Sequence, residues 1–167
     1  MRIFCTLAFL ILALMSIMSI AAAQDTTTLH LMPWPASVET TPHSQPLVIQ
    51  SSFTVALRDN SDPHLRRAAQ IFLDDLRRHT GSTAIDFSIG NDSNTAVLTV
   101  GSDHPSKEVQ ELGEDESYRL EVGAGRADLT APTTLGVMRG LQTFLQLVEV
   151  TPQGFAVPQV IIQDKPR

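Results

Sequence analysis

The block from Glu116 to Leu147 constrains this chain more than any other part. Tyr118, Leu120 and Val122 alternate with Ser117, Arg119 and Glu121, the period-two pattern of a half-buried strand. Gly123-Ala124-Gly125 turns the chain into a second strand, Ala127 to Thr130. A helix follows over about Thr133 to Val148. On a helical wheel Leu135, Val137, Met138, Leu141, Phe144, Leu145, Leu147 and Val148 spread over more than half the circumference, leaving a narrow polar strip of Arg139, Gln142, Thr143 and Gln146. A helix apolar that far round needs cover on two sides. The domain's own sheet supplies one; the other is expected from outside this chain. Gly136 and Gly140 lie four apart at the edge of the arc. Each costs about 1 kcal/mol of helix propensity against alanine, which points to close backbone approach by a neighbouring element.

A second helix is bounded by its own punctuation. Asp62 is placed to cap it, Pro63 to occupy its first position and Gly81 to end it. Leu65, Ala68, Ala69, Phe72, Leu73 and Leu76 form a single stripe, with Arg66, Arg67, Gln70, Asp74, Arg77 and Arg78 opposite. Pairs between Asp74 and Arg77 or Arg78 describe a solvated face rather than a site.

Further strands are expected at Leu47 to Gln50 paired with Phe53 to Leu57, at Thr83 to Ile89, and at Thr95 to Val100. A last hairpin joins Phe155–Val157 to Val160–Ile162 across Pro158-Gln159. Thr26 to Pro46, with Pro33, Pro35, Pro42 and Pro46, reads as extended and irregular. Val109 and Leu112 suggest at most a short helical turn. The sum is an α+β domain: a largely antiparallel sheet of about six to eight short strands carrying two helices on one face.

The N-terminus carries an address. Met1-Arg2, an apolar run from Ile3 to Ile20, and Ala21-Ala22-Ala23 have the charged start, greasy centre and small-residue cleavage site of a secretory signal peptide. An uncleaved anchor would need about 18 apolar residues to span a bilayer; the small-residue site and the lack of a basic stop-transfer cluster favour cleavage. The expected organisation is a leader over 1–23, a domain over 24–163 and the start of a linker at 164–167, in a protein that is secreted or periplasmic. Cys5, the single cysteine, lies in the leader, so the mature domain forms no disulfide.

The composition excludes several classes. Net charge is -6, only Lys107 and Lys165 represent lysine, and no basic stripe is present, which argues against a nucleic-acid partner and, after cleavage, a membrane partner. Trp34 and Tyr118 are the only Trp and Tyr, too few for a sugar-stacking surface. Ser102-Asp103-His104 sets a nucleophile, acid and base side by side, whereas catalytic triads converge from distant positions. His30, His43, His64, His79 and His104 lack metal-ligand spacing. Gly123-Ala124-Gly125-Arg126 lacks the third glycine and the helix of a dinucleotide fingerprint. Asp74-Asp75 and Glu114-Asp115-Glu116 are adjacent carboxylates and do not straddle a glycosidic bond at the ~5 to 9 Å separation hydrolysis needs. They read as solvation. Asn91-Asp92-Ser93 is a glycosylation sequon. No catalytic, cofactor-binding or metal residue is assigned.

Four pieces in order carry a family resemblance: Leu31-Met32-Pro33-Trp34-Pro35-Ala36-Ser37-Val38, Glu116 to Val122 with its glycine turn, Gly136 to Leu147 around Arg139-Gly140-Leu141-Gln142-Thr143, and the exit Val160 to Arg167. Together they resemble the N-terminal, non-catalytic domain of family 20 β-N-acetylhexosaminidases of bacterial type. The resemblance implies a parent enzyme that removes terminal N-acetylhexosamine from glycans or chitin fragments. In that family the substrate's acetamido oxygen attacks the anomeric carbon, and an Asp-Glu pair and an arginine act from a (β/α)8 barrel beyond this chain. Arg167 is not that arginine. The implied partner is the barrel, through the helix Thr133 to Val148, with glycan met only by the barrel and no cofactor. An accessory domain of another glycosidase, such as an α-glucuronidase, and a free-standing secreted carbohydrate-binding or interaction module are the alternatives.

Overall fold

In a computed structural model, the described residues are 29–58, 62–81, 88–90, 92, 94–105, 107, 109, 111 and 113–165. The expected leader, the N-terminal part of the strand at Thr83, Asn91 and Ser93 of the sequon, Leu112 and the end of the expected linker lie outside them. Among the described residues, ten strands and two helices follow one another as β1 (Ser37–Thr40), β2 (Leu47–Val48), β3 (Thr54–Leu57), α1 (Pro63–Thr80), β4 (Ser88–Gly90), β5 (Leu98–Ser102), β6 (Tyr118–Val122), β7 (Ala127–Ala131), α2 (Thr134–Gln146), β8 (Glu149–Thr151), β9 (Gly154–Val157) and β10 (Val160–Asp164). Seven strands form one sheet in the order β1-β10-β6-β7-β5-β3-β4, and β2-β9-β8 form a small antiparallel sheet. Among these elements no helix is long and apolar enough to cross a membrane.

The α+β class and the two helices agree with the sequence. The large sheet is mixed: β1-β10, β10-β6 and β6-β7 pair antiparallel, whereas β7-β5, β5-β3 and β3-β4 pair parallel. The cause is topological. The α1 crossover brings the chain back beside β3 in the same direction, and β6 lies outside β7, leaving β7 parallel to β5. Two expected local pairs do not form. Leu47–Val48 pairs with β9 rather than β3, and β9 and β10 belong to different sheets, so Pro158-Gln159 joins two sheets instead of closing a hairpin. The segment before Pro46 contains β1, an edge strand on β10, and β8 makes its hairpin with β9.

Helix α1 follows its sequence signals. Asp62 Oδ1 accepts from the His64 N–H at 2.8 Å, Pro63 starts the helix, and Gly81 ends it with φ 62°, a left-handed conformation suited to glycine. The stripe Leu65, Ala68, Ala69, Phe72, Leu73 and Leu76 is buried, and Arg77 pairs with Asp74 at 2.8 Å. Both helices lie on one face of the sheet, over Val55, Leu57, Leu98, Val100, Leu120, Leu129 and Ile162, all buried. Phe53, Phe72 and Phe144 close the centre, with Phe72 and Phe144 edge to face at 5.5 Å between centroids.

The opposite face is polar. There Arg58 pairs with Asp128, and Arg119 with Glu121 at 3.1 Å. Arg58's aliphatic stem lies over Gly101, where a Cβ would stand 2.9 Å from its Cδ. These exposed pairs contribute little stability.

Candidate functional site

The residues that distinguish this chain meet where α2 crosses β6 and β7. Thr133 caps α2 through the Gly136 N–H at 3.2 Å, while its hydroxyl donates to Asp115 O at 2.6 Å. Gly136 and Gly140 make the close approach expected of them: a Cβ at Gly136 would meet Ser117 O at 2.2 Å, and one at Gly140 would meet Leu129 Cδ1 at 2.3 Å. Beside them the Tyr118 hydroxyl lies 2.6 Å from Thr143 Oγ1, which donates in turn to Arg139 O. Thr143 is thus a buried polar contact and not part of the solvent strip. Burial raises the Tyr118 phenol above its ordinary 10.0, the Thr143 bond working against it.

Arg139 completes the junction by donating from Nε to Glu116 Oε2 at 2.7 Å, a bond that raises the guanidinium's affinity for its proton. Glu116, read from the sequence as a solvating carboxylate, therefore fastens the strand approach to the helix. Asp115 accepts from the Ser117 N–H at 2.9 Å, and hydrogen bonds from Ser117 hold its carboxyl below the usual range. Sequence reasoning missed the ties of Glu116 to Arg139 and of Tyr118 to Thr143 because the partners lie on different elements, 23 and 25 residues apart.

The remaining candidates are dispersed. Asp103 and His104 prolong the strand ladder, their N–H groups donating to Ala131 O and Pro132 O. His64 and His79 sit in the first and last turns of α1. Gly123-Ala124-Gly125-Arg126 is the β6-β7 turn, closed by the Gly123 N–H to Arg126 O at 2.9 Å. Asp74 and Asp75 pair with Arg77 and Arg78 on their own helix.

Most of the apolar arc of α2 is closed within the chain, which narrows the surface left for an external second cover to its Leu135–Met138 edge. Phe144 is 0% and Leu147 1% exposed, because α1 and the Phe53–Phe72–Phe144 cluster fill that side. What stays open is narrower. A groove of about 260 Å³ runs between the helices, bordered by Ala68, Ile71, Leu135, Met138 and Gln142, with Ile71 46% and Met138 39% exposed. At the far end of α2 the Gln146 side chain grips the N-terminal segment, accepting from the Met32 N–H at 2.7 Å and donating to Met32 O at 3.2 Å. A concavity of about 650 Å³ with a mixed lining lies at the end of the sheet, bordered by Ser37, Asp103, Arg119, Ala131, Pro132 and Gln163 among others. Asp164, placed by the sequence in the linker, ends β10 and accepts from the Ala36 N–H at 3.1 Å.

The polar side chains of this region are committed to holding elements together. Residues 31–147 match the family described as beta-acetyl hexosaminidase like. The chitobiase of Flavobacterium johnsoniae superposes with a TM-score of 0.73 at 32% identity, over 83% of this chain and 21% of that one. The GH20 beta-N-acetylhexosaminidase of Streptomyces coelicolor A3(2) gives 0.61 at 26% identity, over 80% and 26%. Beta-hexosaminidase subunit alpha of Bos taurus is 32% identical, the match covering 89% of this chain and 29% of that protein. This chain therefore spans well under a third of the length of each. It belongs to the beta-acetyl hexosaminidase-like family, the N-terminal domain of family 20 glycoside hydrolases.

Proposed function

We propose that this chain is the non-catalytic N-terminal domain of a secreted or periplasmic β-N-acetylhexosaminidase, and that it seats the (β/α)8 catalytic barrel on its helix layer. The observation that carries the reading is the open strip of Ile71, Leu135 and Met138, on the outer side of a helix pair whose inner side is fully packed. The parent enzyme removes terminal N-acetylhexosamine by substrate-assisted retaining hydrolysis, with all catalytic groups in the barrel. The partner of α2 is thus of a second kind: its wide arc packs on its own sheet and α1, and only its outer edge meets the barrel. The named relatives are chitobiase and hexosaminidases, which favours this parent over an α-glucuronidase.

Two measurements test the proposal. The 167-residue chain gives no turnover of an aryl N-acetylglucosaminide, whereas the polypeptide continued by its downstream coding sequence does; turnover by the chain alone overturns it. N-terminal sequencing of the exported protein begins at Gln24, and retention of Met1 contradicts the secretory reading.

A further inference from the structure

The N-terminal segment presents apolar side chains in an unusual way. Leu31 and Pro35 are buried, and between them Met32 and Trp34 stand 83% and 63% exposed. The backbone beneath them is fixed. Both polar groups of Met32 are taken by the Gln146 side chain, and the Ala36 N–H is held by Asp164. A methionine and a tryptophan held outward between two anchors cannot fold back to hide their surface, so water meets them in the isolated domain. A large, stiff aromatic such as Trp34 is what the desolvated centre of an interface uses, Met32 beside it is an adaptable apolar filler, and with the backbone already held only side-chain freedom is left to lose on contact.

The position names the occupant. Gln146 follows Met138 and Gln142 at intervals of four along α2, so the grip that holds Met32 sits at the end of the same outward strip. The relatives matched are about three to four times as long as this chain, so a large further part of the polypeptide exists in them to cover that strip. We infer that Leu31 to Ala36 is a preformed docking arm whose Met32 and Trp34 insert into the catalytic domain of the same polypeptide. This rests on the proposed seating of the barrel against the helix layer and extends it to the N-terminal arm. A sugar ligand fits less well: Trp34 is the only tryptophan, and the Met32 backbone groups and the Ala36 N–H that flank it are already engaged.

Hydroxyl-radical footprinting tests this without any substitution, because Met32, Trp34 and Met138 are themselves oxidisable probes. Peptide mapping compares the 167-residue chain with the polypeptide continued by its downstream coding sequence. The expected result is a several-fold loss of oxidation at Met32 and Trp34 together with loss at Met138. Protection of Met138 with Met32 and Trp34 unchanged overturns the arm and leaves the barrel seating intact. No protection at any of the three, or a downstream sequence that encodes no barrel, overturns both. Protection of Trp34 in the 167-residue chain by N-acetylglucosamine oligomers, or by raising its own concentration, overturns the arm in favour of a sugar site or a second copy.

Discussion

The two glycines of α2 look alike in the sequence and differ in what they face. At Gly136 the obstacle to a side chain is a backbone carbonyl, Ser117 O at 2.2 Å from the Cβ position, which moves only if β6 moves. At Gly140 it is the methyl end of Leu129 at 2.3 Å, which can change rotamer. Gly136→Ala is therefore expected to cost about 3 kcal/mol or more, and Gly140→Ala about 1 to 2, after allowance for the better helix propensity of alanine. Gly140→Leu overpacks the same site and costs more still. Urea denaturation of the three variants gives the order, and equal losses at both alanine sites would contradict it. Tyr118 offers a second test. The folded state binds its phenolic proton more tightly than the unfolded chain, since burial raises its pKa above 10.0. Its contribution is full below pH 10 and is lost as pH rises through the folded-state titration. Because Tyr118 is the only tyrosine, its absorbance titration reads that midpoint directly. In Tyr118→Phe the alkaline fall in stability flattens, at a cost of about 1 kcal/mol for the lost Thr143 bond at neutral pH.

Between elements, one buried carboxylate ties both helix starts together. Asp62 is 5% exposed; one oxygen caps α1 and the other accepts from the Thr134 hydroxyl in the first turn of α2 at 2.6 Å. Asp62→Ala removes a cap and a buried charge-assisted bond, about 3 kcal/mol in all. Thr134→Val removes one link and costs about 1 to 2. The double variant should lose less than the sum, because the shared bond can be broken only once; full additivity would show that the two helices are not coupled here. Half of this joint was legible in the sequence. Asp62, Pro63 and Gly81 act on neighbouring backbone, so their spacing announces them, as does the alternation of Tyr118, Leu120 and Val122. Thr134 gives no such signal, being 72 residues from its partner. The same limit explains the strands. Periodicity shows that Leu47 and Val157 are buried, but their pairing is decided by a fold that brings residues 110 apart together. The parallel half of the sheet was equally hidden, since a crossover's direction is not written in either strand it joins. The wide arc of α2 showed that a second cover was needed, and only the packing of Phe72 against Phe144 shows that α1 provides it.

For the whole molecule, the question is which apolar surface belongs to this domain and which to its neighbour. Ile71 and Met138 are partly exposed on the outer side of the helix layer, whereas Val150, 80% exposed, projects from β8 in the small sheet. In the 167-residue chain, aspartate at any of the three should shift stability by no more than about 0.5 kcal/mol, as usual for surface sites. The predictions separate once the barrel is attached. Burying an unpaired carboxylate in an interface costs several kcal/mol, so Ile71→Asp and Met138→Asp should release the domain from the barrel. The signature is a thermal transition that splits in two and faster proteolysis after Asp164, while Val150→Asp leaves a single transition and an intact junction. The comparison between the two lengths of chain carries the argument. A substitution that merely damages the fold acts equally in both, whereas one that damages docking acts only in the longer. Loss of stability from Met138→Asp in the 167-residue chain would place Met138 in the core. Tolerance of both aspartates in the longer chain would move the barrel to another face, the polar side of the sheet around Arg58 and Asp128 being the remaining large surface of the domain.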